Sequence, residues 1–165
     1  MAKKNNWKEN FSPLVIGHIL LMVNIGLDIF VKNPNSINWL KLAGFIALIP
    51  VIVLWPLPVF TLRKYGDINP NGSFMATSQL VEKGIYKVIR HPQYLGFMFL
   101  NASLALINQG IITFVVAILS IVFLIAGIKE EERFLTDQFG DEYLQYQKRV
   151  PSIDLFTGIF RLIAK

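Results

Sequence analysis

Apolar positions in this chain run in blocks long enough to cross a bilayer, and polar positions gather between the blocks. The first block covers residues 13–31, close to the roughly 20 residues that cross a hydrocarbon core. Residues 39–62 form the second. Pro50, Pro56 and Pro58 interrupt it, which predicts a kink or break near Trp55. The third, residues 93–107, is short, and the fourth covers residues 111–128. Asn108, Gln109 and Gly110 separate these two, an uncharged turn that predicts a tight antiparallel hairpin. Asn33, Pro34 and Asn35 mark a turn between the first two blocks. Residues 63–91 leave the apolar pattern, with a loop-like composition at 67–73. Beyond Lys129 the chain is polar again, and residues 134–146 alternate aromatic and charged side chains in a helical manner until Pro151 stops them. At the C-terminal end, Leu155, Ile159, Leu162 and Ile163 share one face of a stretch too short to span, which predicts an interfacial amphipathic helix. The pattern predicts an all-α polytopic membrane protein, a single domain over residues 1–165. It has four transmembrane helices and a cytoplasmic helical tail, residues 129–165.

Composition sharpens this reading. Hydrophobic residues make up 53% of the 165 and charged residues only 16%, against about a quarter in soluble domains. Mean hydropathy is +0.48. A formal net charge of +5 would hint at nucleic acid in a soluble protein, but here the distribution of charge explains it. Fourteen of the 16 Lys and Arg fall before the first block, between the second and third, or after the fourth. This bias predicts that both termini face the cytoplasm. The expected partner is the lipid bilayer, with no nucleic acid, and oligomeric state is left open. A basic start before an apolar run also describes a signal peptide, yet no small-x-small site follows, so a retained helix is expected. No cysteine is present, which excludes disulfides and thiolate chemistry. Two histidines without His-x-x-x-His spacing predict no metal site. Within the first block, Asn24 and Asp28 share a helical face. Asp28 lies near the helix end, where capping or solvation is expected, and His18 reads as an interior hydrogen-bonding residue.

Two stretches carry the candidate chemistry. The first is Leu80-Val81-x-x-Gly84-x-Tyr86-x-x-x-Arg90-His91-Pro92-x-Tyr94-x-Gly96, which passes from basic to apolar where Pro92 suits a helix's first turn. An Arg-His pair at such an entrance also suits a snorkelling anchor. The second comprises Glu131-Glu132-x-x-Leu135 and Phe139-Gly140-x-Glu142-Tyr143-x-x-Tyr146-x-x-Arg149-Val150-Pro151. If the fourth span continues as one helix, Glu131 projects seven residues beyond Tyr94, about 10 Å. That interval suits a nucleoside ligand lying along the cytoplasmic mouth.

In order and spacing, the two stretches resemble the integral-membrane methyltransferases, a superfamily that includes the isoprenylcysteine carboxyl methyltransferases and the phospholipid N-methyltransferases. The likeness covers roughly residues 78–151. It implies S-adenosyl-L-methionine as cofactor and a lipophilic or lipid-modified acceptor. The cofactor-binding residues it implies are Leu80, Val81, Tyr86, His91, Pro92, Tyr94 and Glu131, with Ser78, Gln79, Gln93, Gly96 and Glu132 beside them. Ser78 and Gln79 depart from the family's residue types, so backbone contacts are expected there. No single catalytic residue is expected, because a sulfonium carries its own leaving group and catalysis rests on alignment in a water-poor site. One departure bears on the acceptor. The isoprenylcysteine enzymes carry a substrate-contacting arginine four residues before the first Glu of the pair, and Gly127 stands there in this chain. A nicotinamide-dependent reductase of sterol-reductase type and a non-catalytic membrane scaffold are the alternative readings.

Overall fold

A computed structural model describes residues 12–67 and 77–164. The basic residues Lys3, Lys4 and Lys8, most of the expected 67–73 loop, and Lys165 lie outside the described residues. Every regular element among those described is helical: α1 (Pro13–Phe30), α2 (Asn38–Ala47), α3 (Ile49–Leu54), α4 (Pro56–Tyr65), a 3₁₀ turn (Gly84–Lys87), α5 (Pro92–Asn108), α6 (Ile111–Phe139), α7 (Asp141–Arg149) and α8 (Leu155–Ile163).

Three stretches are helical and apolar over enough length to cross a membrane: Pro13–Phe30, Asn38–Tyr65 taken across its breaks, and Ile111–Phe139. Helix α5, the third expected span, has 17 residues and falls short of them. The second stretch breaks at Trp55, as its prolines predict, and also at Leu48, two residues before Pro50. A proline ring displaces the carbonyl four residues back. Helix α6 does not stop at the charged run but carries it to Phe139, where Gly140 (φ +58°) opens the turn into α7. The expected continuous helix over 134–146 is therefore two helices.

The chain divides into two compact units, Met1–Ile46 with Asn101–Glu130, and Ala47–Leu100 with Glu131–Lys165. In the first unit, Ser12 caps α1 by accepting from the Leu14 amide at 3.3 Å. Gly17 and Gly127 bring α1 and α6 close together. A side chain beginning at Gly17 would meet Leu124 at 3.1 Å, and one at Gly127 would meet Leu14 Cβ at 3.0 Å and its Cα at 3.1 Å. Buried neutral groups join the helices. Asn24 Nδ2 donates to Asn101 Oδ1 (3.3 Å), Asn101 Nδ2 to Ser120 Oγ (3.0 Å), and Ser120 Oγ to the Gly17 carbonyl (2.8 Å). The α5–α6 connection is the expected short hairpin, with Gln109 at φ +59°. Asn108 ties it to the end of α1 through the Val31 carbonyl at 2.5 Å. Asn24 is thus a packing residue, Asp28 is half-buried near the end of α1, and His18 pairs with the Leu14 carbonyl at 2.8 Å.

In the second unit, α3 crosses α5 at Gly96, where an added side chain would meet Leu54 Cβ at 3.3 Å. Helix α8 begins at Asp154, whose carboxylate accepts from the Thr157 amide at 3.0 Å. It docks through Gly158, which lies against the Val88 carbonyl, and through Arg161, which donates to the Arg149 and Lys87 carbonyls. Phe156, Phe160 and Ile163 remain exposed, the face that an interfacial helix would turn to lipid.

Candidate functional site

The two sequence motifs meet inside the second unit. The first enters through the 3₁₀ turn, where Gly84 takes φ +57° and lies close under Thr61. The chain then extends, and the Arg90 and His91 amides donate to the Pro151 and Ser152 carbonyls at 3.0 and 2.9 Å. This short pairing fixes the start of α5 against the segment after α7. Pro92 opens α5 as expected, where its missing N–H costs nothing.

Charged groups converge here. Arg90 donates through Nε (3.1 Å) and Nη2 (2.5 Å) to Glu132 Oε1, and through Nη1 to the Gln147 carbonyl (2.9 Å) and the Val150 carbonyl. His91 Nε2 pairs with the same Glu132 oxygen at 3.1 Å. The Tyr94 hydroxyl donates to Glu131 Oε2, and the Tyr94 and His91 rings meet edge-on at 5.6 Å. His91 and Tyr94 are buried, and Glu131 and Glu132 are half-buried. Burial, and then the negative charge of Glu131, push the Tyr86 phenol well above its ordinary pKa. The expected 10 Å interval between Tyr94 and Glu131 is therefore closed by their own side chains, which reach toward each other.

The remaining predicted residues distribute as follows. Ser78 Oγ donates to the Asp67 carbonyl and carboxylate, both at 3.1 Å, and Gln79 Nε2 to the Tyr65 carbonyl at 2.8 Å. Gln79, Leu80 and Val81 line a cavity of about 500 Å³ with Tyr65, Lys83 and Glu142. Tyr86, His91, Tyr94 and Glu131 are not among its lining residues. Leu80 also packs on the buried cluster of Tyr143, Tyr146 and Val150. Gln93 is half-buried on the first turn of α5, and Gly96 meets helix α3 rather than open space. Further along the second stretch, the Tyr146 hydroxyl braces the Tyr86 carbonyl at 2.7 Å and Arg149 pairs with Glu82 at 2.9 Å. Two contributors were missed. Arg90 turns inward as a cross-link instead of snorkelling, and Tyr143 is buried beside it on α7. The Glu131-Glu132 pair, an acidic partner waiting for a cation, was the available signal for Arg90.

Gly127 belongs to the first unit, where α1 presses on it. An arginine at this position would have no room beside Leu14.

Residues 43–142 match the phospholipid methyltransferase family. The chain is 32% identical over 126 residues to the protein-S-isoprenylcysteine O-methyltransferase of Rattus norvegicus, covering 76% of this chain and 44% of that protein. It is 42% identical over 66 residues to methanethiol S-methyltransferase 1 of Bradyrhizobium diazoefficiens, covering 40% of this chain and 22% of that protein. The isoprenylcysteine O-methyltransferase of Schizosaccharomyces pombe is 38% identical over 74 residues, 44% of this chain and 31% of that protein. The chain thus spans less than half the length of each of these relatives. No solved structure matches it. With the match extending over more than half of the chain and taking in the first motif and the second as far as Glu142, the chain belongs to the phospholipid methyltransferase family.

Proposed function

We propose that this chain binds S-adenosyl-L-methionine and directs its methyl group to a lipophilic or membrane-embedded acceptor at the cytoplasmic face of the membrane. The observation that carries this reading is the bond from Tyr94 of the first motif to Glu131 of the second. Across 37 positions of chain, a carboxylate, a phenol and an imidazole come together in one small volume. Relatives named for O- and S-methyl transfer support the same reaction class. The positive-charge bias supports the cytoplasmic face and cytoplasmic termini.

The residues fit the cofactor. Glu131 offers an acceptor for a cationic amino group or ribose hydroxyls, while Tyr86, His91 and Tyr94 shape the surroundings. Residues 78–81 and Gln93 lie along the same segments and complete the proposed cofactor set with Pro92. Glu132, already accepting from Arg90 and His91, serves as a positioning carboxylate, and Gly96 serves by admitting α3. When bound, the cofactor supplies an activated methyl on a leaving group that needs no protonation. The chain's part is to hold the reacting groups in line and keep water out. No general base is assigned.

The acceptor differs from prenylcysteine in this reading. The arginine that would contact a free carboxylate is replaced by Gly127, and Leu14 occupies the space above it. A phospholipid amine or another apolar molecule suits a site without that fixed charge.

Calorimetric titration of the detergent-solubilised protein with S-adenosylhomocysteine and with NADPH tests the reading. Binding of the former alone is expected, with Glu131→Ala and His91→Ala each losing at least tenfold in affinity while unfolding as cooperatively as the parent. NADPH binding alone would establish the reductase alternative, and binding of neither the scaffold alternative. Brisk methylation of a prenylcysteine analogue, offered beside a phosphatidylethanolamine analogue, would overturn the acceptor assignment.

A further inference from the structure

Helix α7 carries two buried tyrosines whose hydroxyls are treated differently. Their rings lie 5.9 Å apart, and both are almost fully buried. The Tyr146 hydroxyl donates to the Tyr86 carbonyl, whereas the buried Tyr143 hydroxyl, with the Arg90 guanidinium on its oxygen side, finds no acceptor for its hydrogen. Such a group asks for an explanation, because a buried donor without an acceptor is costly.

Its surroundings supply one. Arg90 donates to the Gln147 carbonyl, one helical turn beyond Tyr143, and the same guanidinium holds Glu132. Tyr143 therefore sits on the side of α7 that faces the Arg90 cluster. An arginine only donates, so its nearness leaves the phenol hydrogen without an acceptor. The other donors around the cluster already meet protein acceptors: Arg90 and His91 meet Glu132, and Tyr94 meets Glu131. Burial, followed by the charge of Glu132, pushes the Tyr143 phenol well above its ordinary range, which keeps its proton in place.

We propose that the Tyr143 hydroxyl is a further ligand-binding group, donating to the carboxylate at the amino-acid end of the methyl donor while Glu131 accepts from the adjacent ammonium. This rests on the cofactor reading above. An α-amino acid presents its ammonium and carboxylate from one carbon, so a site for it needs an acceptor and a donor side by side. Glu131 is the acceptor, and Tyr143 is the donor left over. The tail beyond α6 is then part of the site as well as its brace.

The test compares S-adenosylhomocysteine with methylthioadenosine, which lacks the amino-acid end, on the parent protein and on Tyr143→Phe. Removing one hydrogen bond to a charged group is expected to weaken S-adenosylhomocysteine roughly tenfold or more, with methylthioadenosine unchanged. Tyr146→Phe, which loses a bond to the backbone, is expected to lower thermal stability and leave the ratio of the two affinities as it was. Equal affinities in Tyr143→Phe and the parent would overturn the proposal, as would parallel weakening of both ligands. A parent protein that binds neither ligand would instead remove the cofactor reading itself.

Discussion

Side chains that join helices differ in kind between the two units. In the first they are neutral: Asn24, Asn101 and Ser120 form a buried relay ending on a backbone carbonyl. In the second they are charged: Arg90, His91 and Glu132 share one carboxylate oxygen, and Glu131 takes the Tyr94 hydroxyl. Neutral relays between apolar helices add modest stability and tolerate low dielectric. Buried charge is expensive, and it persists where each partner is matched or where function needs it. The first unit is therefore held by matched neutral groups, and the second concentrates paired charge.

The largest effect is expected where this contrast is strongest. Glu132→Ala strips the half-buried Arg90 and the buried His91 of their shared acceptor. Breaking a buried pair by removing one partner costs about 3–5 kcal/mol, so thermal unfolding in detergent should move down sharply. Glu132→Gln, which keeps one oxygen acceptor, should fall between. A Glu132→Ala protein as stable as the parent would mean the cluster is solvated, and the contrast between the units would lose its basis.

Next in size is a test by volume in the first unit. Gly127→Arg places a long side chain where even Cβ would meet Leu14 at 3.0 Å. Overpacking of this kind costs about 1–3 kcal/mol or more, read as lost monodispersity and a lowered unfolding midpoint. The same substitution restores the arginine of the isoprenylcysteine enzymes. A stable Gly127→Arg protein that gains prenylcysteine methylation would show that space was never the limit.

These cases also mark what the sequence reveals and what it hides. The break at Trp55 follows from Pro56 and Pro58, and the hairpin from the uncharged Asn108-Gln109-Gly110. The approach of Glu131 to Tyr94 is anticipated by spacing along two helices joined by a short turn. The break at Leu48 is hidden because one apolar run covers both sides of it. Gly140 is hidden by an aromatic and charged rhythm that continues through it in register. The departure at Gly127 is visible in one dimension, but Leu14 lies 113 positions away and only folding brings it there. Likewise nothing in the spacing separates Tyr143 from Tyr146, since what distinguishes them is the acceptor each hydroxyl meets or lacks.

The smallest effect is one that shows itself only in strong base. Tyr86, Tyr143 and Tyr146, three of the five tyrosines, are pushed above the ordinary value of 10.0, chiefly by burial. A raised folded-state pKa contributes stability that is fully present below the unfolded value and is lost as pH rises through the folded one. Above about pH 10 the unfolded chain releases these protons while the folded chain keeps them, so stability declines with further base. Phenolate absorbance followed against helical circular dichroism should show these three phenols ionising only as the helices melt. Tyr146→Phe should reduce the late step by one group, and Tyr143→Phe should do the same. Full ionisation at ordinary pH with helical signal intact would mean the α7 tyrosines are open to water. The second unit would then lose the dry environment on which its charged cluster depends.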